Sequence, residues 1–227
     1  MSVLWHTARM LFDFSAICYL LGKVEGGGLT PLGTAFALGG RKIATALHVV
    51  RDAPNVQLLM PVPLVGGYQD TTDNAANVRP LELIEVDPIH DLAVLEAPQD
   101  FSTTIPYHLG STDEMNPGMP VSTHGYPHVD AGRYVLTQYP TTVGAKVLVA
   151  TQGVKIKHLV LNTLLQRGQS GSLVLNPATK NVVAIIIGPH HPTGGTGARI
   201  VVSGVDPAAL NQTAHAVSAE YLTAMIR

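Results

Sequence analysis

An all-β fold is predicted for this 227-residue chain by three features of its sequence. About a dozen short apolar or alternating runs recur along it, turn residues punctuate them, and charge is sparse. Gly (22) and Pro (16) together make up about a sixth of the residues, and charged residues only 13%. That balance suits short strands joined by tight turns better than a helix bundle, and a hydrophobic content of 46% is enough to fill a core of substantial size.

Taken in order, Val3 to Phe14 has apolar residues at mixed spacing and reads as a short helix or a lead-in arm. Ser15 to Lys23 is the first strand candidate, closed by the turn Gly26-Gly27-Gly28. Leu32 to Leu38 follows, then the turn Gly39-Gly40-Arg41 and the strand Lys42 to Ala46, which runs into Leu47-His48-Val49-Val50. Asn55 to Pro61 alternates as a half-buried strand does. Gly66 to Pro80 is polar and reads as a loop. Leu81 to Val86 alternates apolar with acidic residues, and Leu92 to Leu95 is a short buried strand. Pro98 to Pro106 is a connector between two lobes. Beyond it, strands are expected near 120–125, 134–142, 145–151, 158–162, 173–176, 182–187 and 199–203. Asp206-Pro207 supplies an N-cap and a first-turn proline for a helix from Ala208 to about Arg227.

Composition also excludes partners. A net charge of −2 provides no field for a polyphosphate, so nucleic acid is not expected. With Cys18 as the single cysteine no internal disulfide can form, which fits a reducing compartment and a cytoplasmic location. Met1 to Asp13 lacks the pattern of a signal peptide. No apolar stretch reaches about 18 residues, so no membrane span is expected.

The chemistry centres on Gly168-Gln169-Ser170-Gly171-Ser172, set between the apolar stretches Leu159 to Leu165 and Leu173 to Leu175. The turn displays one hydroxyl, and a serine hydroxyl is a weak nucleophile until a fixed base takes its proton. The α/β-hydrolase elbow requires Gly-x-Ser-x-Gly; here Ser172 occupies the place of its second glycine. His48 stands at the end of a rigid strand, the setting a general base needs for its ring to be oriented. Asp91 abuts the apolar run Leu92 to Leu95, where a carboxylate is costly unless hydrogen-bonded. Asp87 is its nearest competitor. The order His48, Asp91, Ser170 is that of the chymotrypsin arrangement, unlike those of subtilisin and the α/β-hydrolases. His124 and His128 are four apart, but the Gly and Pro between them prevent a helical metal face. With His190-His191 they read as loop histidines, so neither a metal nor a cofactor is expected.

On the segments Leu32 to Phe36, Ala44 to Val50, His90 to Leu95 and Gly168 to Ser172, the chain resembles the trypsin-like peptidases of the chymotrypsin clan. It is most similar to the bacterial HtrA-type and glutamyl-endopeptidase-type branches. The resemblance runs from about Ser15 to Val205. It implies a single peptidase domain of two six-stranded Greek-key barrels (about 15–100 and 106–205) with a C-terminal helix, and no PDZ domain. It further implies a serine endopeptidase acting through His48, Asp91 and Ser170, an oxyanion hole made by the N–H groups of Gly168 and Ser170, and protein or peptide substrates. A specificity pocket is expected from Leu164, Ile186, Ile187 and Gly188, with Gly197 to Arg199 opposite. Aliphatic walls favour apolar P1 residues, whereas Arg199 or the paired histidines would select acidic ones. Gln169 replaces the Asp through which digestive relatives couple activation to a freed N-terminus, so that switch is not expected, although an activating protein partner is compatible with the fold. A silent peptide-binding module and a self-processing protease cut from a polyprotein are the alternative readings.

Overall fold

The computed structural model describes residues 16–26, 28–53, 55–60, 68–71, 77–189 and 213–227. Two antiparallel assemblies follow one another along the chain. The first contains β1 (Cys18–Glu25), β2 (Gly28–Gly39), β3 (Lys42–Ala46), β4 (Val56–Met60), β5 (Asn77–Pro80), β6 (Glu82–Asp87) and β7 (Leu92–Glu96), in the spatial order β5-β4-β1-β2-β3-β7-β6. The two outermost members, β5 and β6, are consecutive in sequence and separated only by Leu81, whose N–H donates to the Val56 carbonyl at 3.1 Å. Counted as one strand broken at Pro80-Leu81, they close the sheet into a six-membered barrel.

The second assembly is a closed barrel in the order β10-β13-β12-β11-β8-β9. Its strands are β8 (Pro120–Gly125), β9 (Thr137–Thr151), β10 (Val154–Leu161), β11 (Leu173–Leu175), β12 (Val182–Pro189) and β13 (Ala214–Ser218). Two short α-helices, α1 (Leu47–Val50) and α2 (Leu222–Met225), and 3-10 turns at Thr112–Glu114, Val129–Ala131 and Ala219–Tyr221 complete the regular elements among the described residues.

The apolar runs of β7, β11 and β12 are buried on both faces, and the packing explains why. On β11, Leu173 and Leu175 join a cluster that also holds Leu92 to Leu95 of β7, while Val174 points into the core of the second barrel. On β12, Val182 and Ile185 face that shared cluster, whereas Val183, Ala184 and Ile186 face inward. Side chains two apart share a face, so a strand sandwiched between two apolar layers reads as a continuous hydrophobic run. One apolar seam thus joins the lobes.

Several expectations are corrected. Asn77 to Pro80, read as loop, is a strand because Gln57 to Met60 offers it an antiparallel partner. The two strands expected at 134–142 and 145–151 are one, β9, which pairs with β8 through its first half and with β10 through its second. The helix expected over 208–227 shrinks to Leu222–Met225. Ala214 to Ser218 is instead a fully buried strand hydrogen-bonded to β10 and β12. The strand expected at 199–203 lies outside the described residues.

Candidate functional site

The end of β3 and the start of β7 are neighbours in the sheet, Ala46 pairing with Leu92. The residues that continue from those two ends therefore meet. Leu47 N–H donates to the Asp91 carbonyl at 2.9 Å, which starts α1 against the mouth of β7. His48 N–H donates to Asp91 Oδ1 at 2.9 Å, and His48 Nδ1 lies 2.6 Å from Asp91 Oδ2. Both carboxylate oxygens are thus committed to one residue. An ionised carboxylate only accepts, so Nδ1 is the donor of this bond, which turns Nε2 away from the carboxylate. The two side chains remain 36% and 31% exposed, so the paired ring stands at the surface of the groove and not in the core. Asp91 has φ +57, a left-handed conformation that a short polar side chain tolerates.

Asp87, the competing carboxylate, is occupied elsewhere. Its Oδ1 accepts the N–H groups of Ile89 and His90 at 3.1 Å each, and its Oδ2 lies 2.5 Å from His90 Nδ1. It closes its own turn.

The loop bearing Ser170 is fixed mainly through backbone. Gly171 N–H donates to the Ile186 carbonyl at 2.7 Å and Ile186 N–H to the Ser172 carbonyl at 2.9 Å, tying the loop to β12. Ser172 N–H donates to the Gln169 carbonyl at 3.0 Å. The Gln169 side chain is buried and folds back to accept Gln166 N–H at 2.7 Å. Gly168 and Gly171 have φ of +96 and +87. A side chain at the first would run into the Tyr126 carbonyl and Val129, and at the second into the Thr34 carbonyl. Among the described residues the N–H groups of Gln169, Gly171 and Ser172 are spent on intramolecular acceptors, whereas those of Gly168 and Ser170 have none.

The two halves of the site meet at β2. Thr34 N–H donates to the Ser170 carbonyl at 2.9 Å, and Thr34 Oγ1 donates to the Gly168 carbonyl at 2.7 Å. A Cβ placed on the preceding Gly33 would lie 2.9 Å from both the Ser170 carbonyl and Val49 Cγ1, the neighbour of His48. One glycine therefore separates the Ser170 loop from the His48 turn. His48, Asp91, Gly168 and Ser170 are all gathered at this boundary between the barrels.

The expected pocket residues are less concentrated. Leu164 is 50% exposed, while Ile187 and Gly188 are partly exposed on β12. Ile186 is corrected: its side chain is sealed in the core of the second barrel because it shares the inward face of β12 with Ala184, and only its backbone meets the Ser170 loop. Arg199, Gly197 and His190-His191 lie outside the described residues. His124 is buried on β8 with Nε2 2.8 Å from Ser122 Oγ, and burial pushes its pKa down to about 4. Among the described residues no group of three or more His, Cys, Asp or Glu is arranged to hold a metal ion, and no helix is long and apolar enough to cross a membrane.

Sequence reasoning missed Thr34 and Thr45, both fully buried. Their signal was a hydroxyl residue inside an otherwise apolar strand, which must find a partner when buried. Thr45 Oγ1 donates to the Thr34 carbonyl at 2.7 Å, and Tyr126 N–H donates to Thr34 Oγ1 at 3.0 Å.

A sequence profile described as Trypsin-like peptidase domain matches residues 33–185. No curated protein matches the chain by sequence. The fold is similar to that of the MamO protease domain from Magnetospirillum magneticum, with a TM-score of 0.66 and 17% identity over 99% of this chain and 100% of that one. It is also similar to the HtrA-type protease AlgW solved with a decapeptide, with a TM-score of 0.65 and 14% identity over 94% of this chain and 64% of that one. The Rv3671c protease from M. tuberculosis in its active form gives a TM-score of 0.62 and 15% identity over 93% of this chain and 79% of that one.

Proposed function

We propose, because this chain belongs to the trypsin-like peptidase domain family, that it is a serine endopeptidase whose nucleophile is Ser170. His48 Nε2 takes the Ser170 proton as the hydroxyl adds to a peptide carbonyl, and returns it to the leaving amine. Asp91 holds the imidazole in the tautomer with Nδ1 protonated and stabilises the charged ring that forms. The carbonyl oxygen, becoming negative, accepts from the N–H groups of Gly168 and Ser170. Such a donor contributes about 2.7–4 kcal/mol in related chemistry. Water then resolves the acyl-enzyme by the same proton shuttle.

The observation that carries this reading is the pairing of spent and unspent groups. Asp91 commits both oxygens to His48, while within the adjacent run Gly168 to Ser172 the N–H groups of Gly168 and Ser170 are the two left available. A structural turn would satisfy those donors, since a lone donor away from water is costly. An extended peptide is the substrate class, a choice supported by the peptide held by AlgW. Leu164, Ile187 and Gly188 offer an uncharged wall, which favours an apolar P1 side chain because a charge there would be desolvated without a partner.

Labelling with a fluorophosphonate probe tests the assignment. Wild type and Asp87→Ala are expected to label, and Ser170→Ala is not. Absence of labelling in folded wild type, or labelling that survives Ser170→Ala, overturns it. Intact-mass measurement after expression separates self-processing, which would give a discrete shortened product lost in Ser170→Ala.

A further inference from the structure

The loop that carries Ser170 belongs to the second barrel and is tied there mainly by backbone, yet one residue of the first barrel, Thr34, also holds it. Three of the four hydrogen bonds centred on Thr34 involve the oxyanion loop or the segment behind it. Its N–H holds the Ser170 carbonyl at 2.9 Å, its hydroxyl donates to the Gly168 carbonyl at 2.7 Å, and the same hydroxyl accepts Tyr126 N–H at 3.0 Å. The fourth, from Thr45 Oγ1 to the Thr34 carbonyl at 2.7 Å, fixes the strand itself.

The Gly168 carbonyl matters because it determines which way the following peptide plane faces. Gly168 is free to rotate, having no Cβ and already lying at φ +96, so nothing intrinsic to the residue keeps its carbonyl turned inward. Thr34 Oγ1 supplies the missing restraint from across the lobe boundary. With that carbonyl held on one side and the Ser170 carbonyl on the other, the Gln169–Ser170 peptide unit between them, which carries the Ser170 N–H, is clamped, and Gly168, whose own N–H belongs to the preceding unit, is pinned through its carbonyl. Thr34 is fully buried, so no water competes for the bond.

We propose that Thr34 is a positioning residue for the oxyanion hole, its hydroxyl acting as an interlobe latch on Gly168. The proposal rests on the reading of Ser170 as nucleophile and adds to it a residue that touches neither substrate nor reacting atoms. Removing the hydroxyl frees the Gly168 carbonyl to turn, which costs transition-state stabilisation more than ground-state binding. A serine at this position restores it.

The experiment compares Thr34→Val, which is nearly isosteric, with Thr34→Ser in the full-length chain. Thr34→Val is expected to lower kcat by about 10²-fold, the effect of losing one oxyanion donor, with KM nearly unchanged and with weakened binding of a peptide aldehyde that mimics the tetrahedral adduct. Thr34→Ser is expected to recover most of kcat. Amide hydrogen exchange over residues 166–172, which needs no activity, is expected to rise in Thr34→Val and return to the wild-type level in Thr34→Ser. Should Thr34→Val fail to fold, Thr34→Ala takes its place in both measurements. Equal loss of kcat in the serine variant, or unchanged exchange in the hydroxyl-free one, overturns the proposal. A wild-type protein that is inert to fluorophosphonate sinks the nucleophile assignment instead, while the exchange measurement still reports whether Thr34 holds the loop.

Discussion

Two imidazole–carboxylate contacts lie within a few residues of each other, and their lengths do not tell them apart: 2.6 Å for His48 with Asp91 and 2.5 Å for His90 with Asp87. Their connectivity does. Asp87 and His90 are three residues apart in one turn, and the same carboxylate caps the turn's backbone N–H groups. The His90 ring is stacked on Tyr221 with centroids 3.7 Å apart, so one face of that imidazole is covered by another ring. Asp91 and His48 are 43 residues apart and are joined by the pairing of two strand ends, which leaves the ring only half covered. A local pair stabilises a turn; a pair assembled from distant strand ends at a groove leaves a nitrogen free for chemistry. That difference is why the proposed base is His48 and not His90.

The comparison can be broken most decisively at the two carboxylates. Asp91→Asn is expected to lower kcat by about 10⁴-fold, because the amide favours the wrong imidazole tautomer. Asp87→Asn should leave kcat close to wild type, and steady-state kinetics on a peptide ester would show whether the two variants part. Next in size is a pH effect from a third imidazole, His124, buried on β8 beside Ser122. Its folded pKa of about 4 lies below the ordinary value of 6.5, so the unfolded chain binds more protons between those limits. Stability is therefore full above about pH 6.5 and falls as pH drops toward about 4. Urea midpoints across that range should show the decline, and His124→Gln should flatten it. His90→Ala should cost about 1–2 kcal/mol of stability through the lost stack and turn contact, with little change in kcat. His48→Ala should do the reverse. The smallest expected effect is that of Tyr221→Phe, which keeps the ring under His90 but removes the hydroxyl accepting Lys157 N–H at 3.1 Å. A loss of about 0.5–1 kcal/mol by denaturant titration would match one ordinary hydrogen bond.

The strands were legible wherever burial on one or two faces left a period of two or an unbroken apolar run, as in Leu92 to Leu95 and Leu173 to Leu175. His48 and Asp91 were legible for the same reason, as polar residues at the ends of such runs. Ala214 to Ser218 was not. Asp206-Pro207 is a sound helix-start signal and Ala-His-Ala-Val-Ser has no strong strand preference. Two neighbouring strands with unpaired edges decided its conformation, a case of tertiary context overriding propensity. Asn77 to Pro80 was hidden likewise, since its residues are largely exposed and carry no periodicity. The turn Gln152-Gly153, with φ of +50 and +83, shows why β9 and β10 form a tight hairpin, and its Gly was a readable mark that two alternating runs flanked. Thr34 could be suspected from its apolar company, but the Gly168 carbonyl it holds is 134 positions away and no local pattern announces it.

The apolar seam between the barrels has a mechanical consequence. Leu95 from one side and Leu173, Ile185 and Val217 from the other belong to a single water-free layer, so prising the lobes apart would wet all of it at once. The packing therefore opposes any change in the width of the groove, and on the peptidase reading a peptide would be aligned there without a closing motion of the body. Selectivity and any on–off control are then the business of the loops at its rim, and changes confined to those loops can retune the molecule while its frame stays untouched.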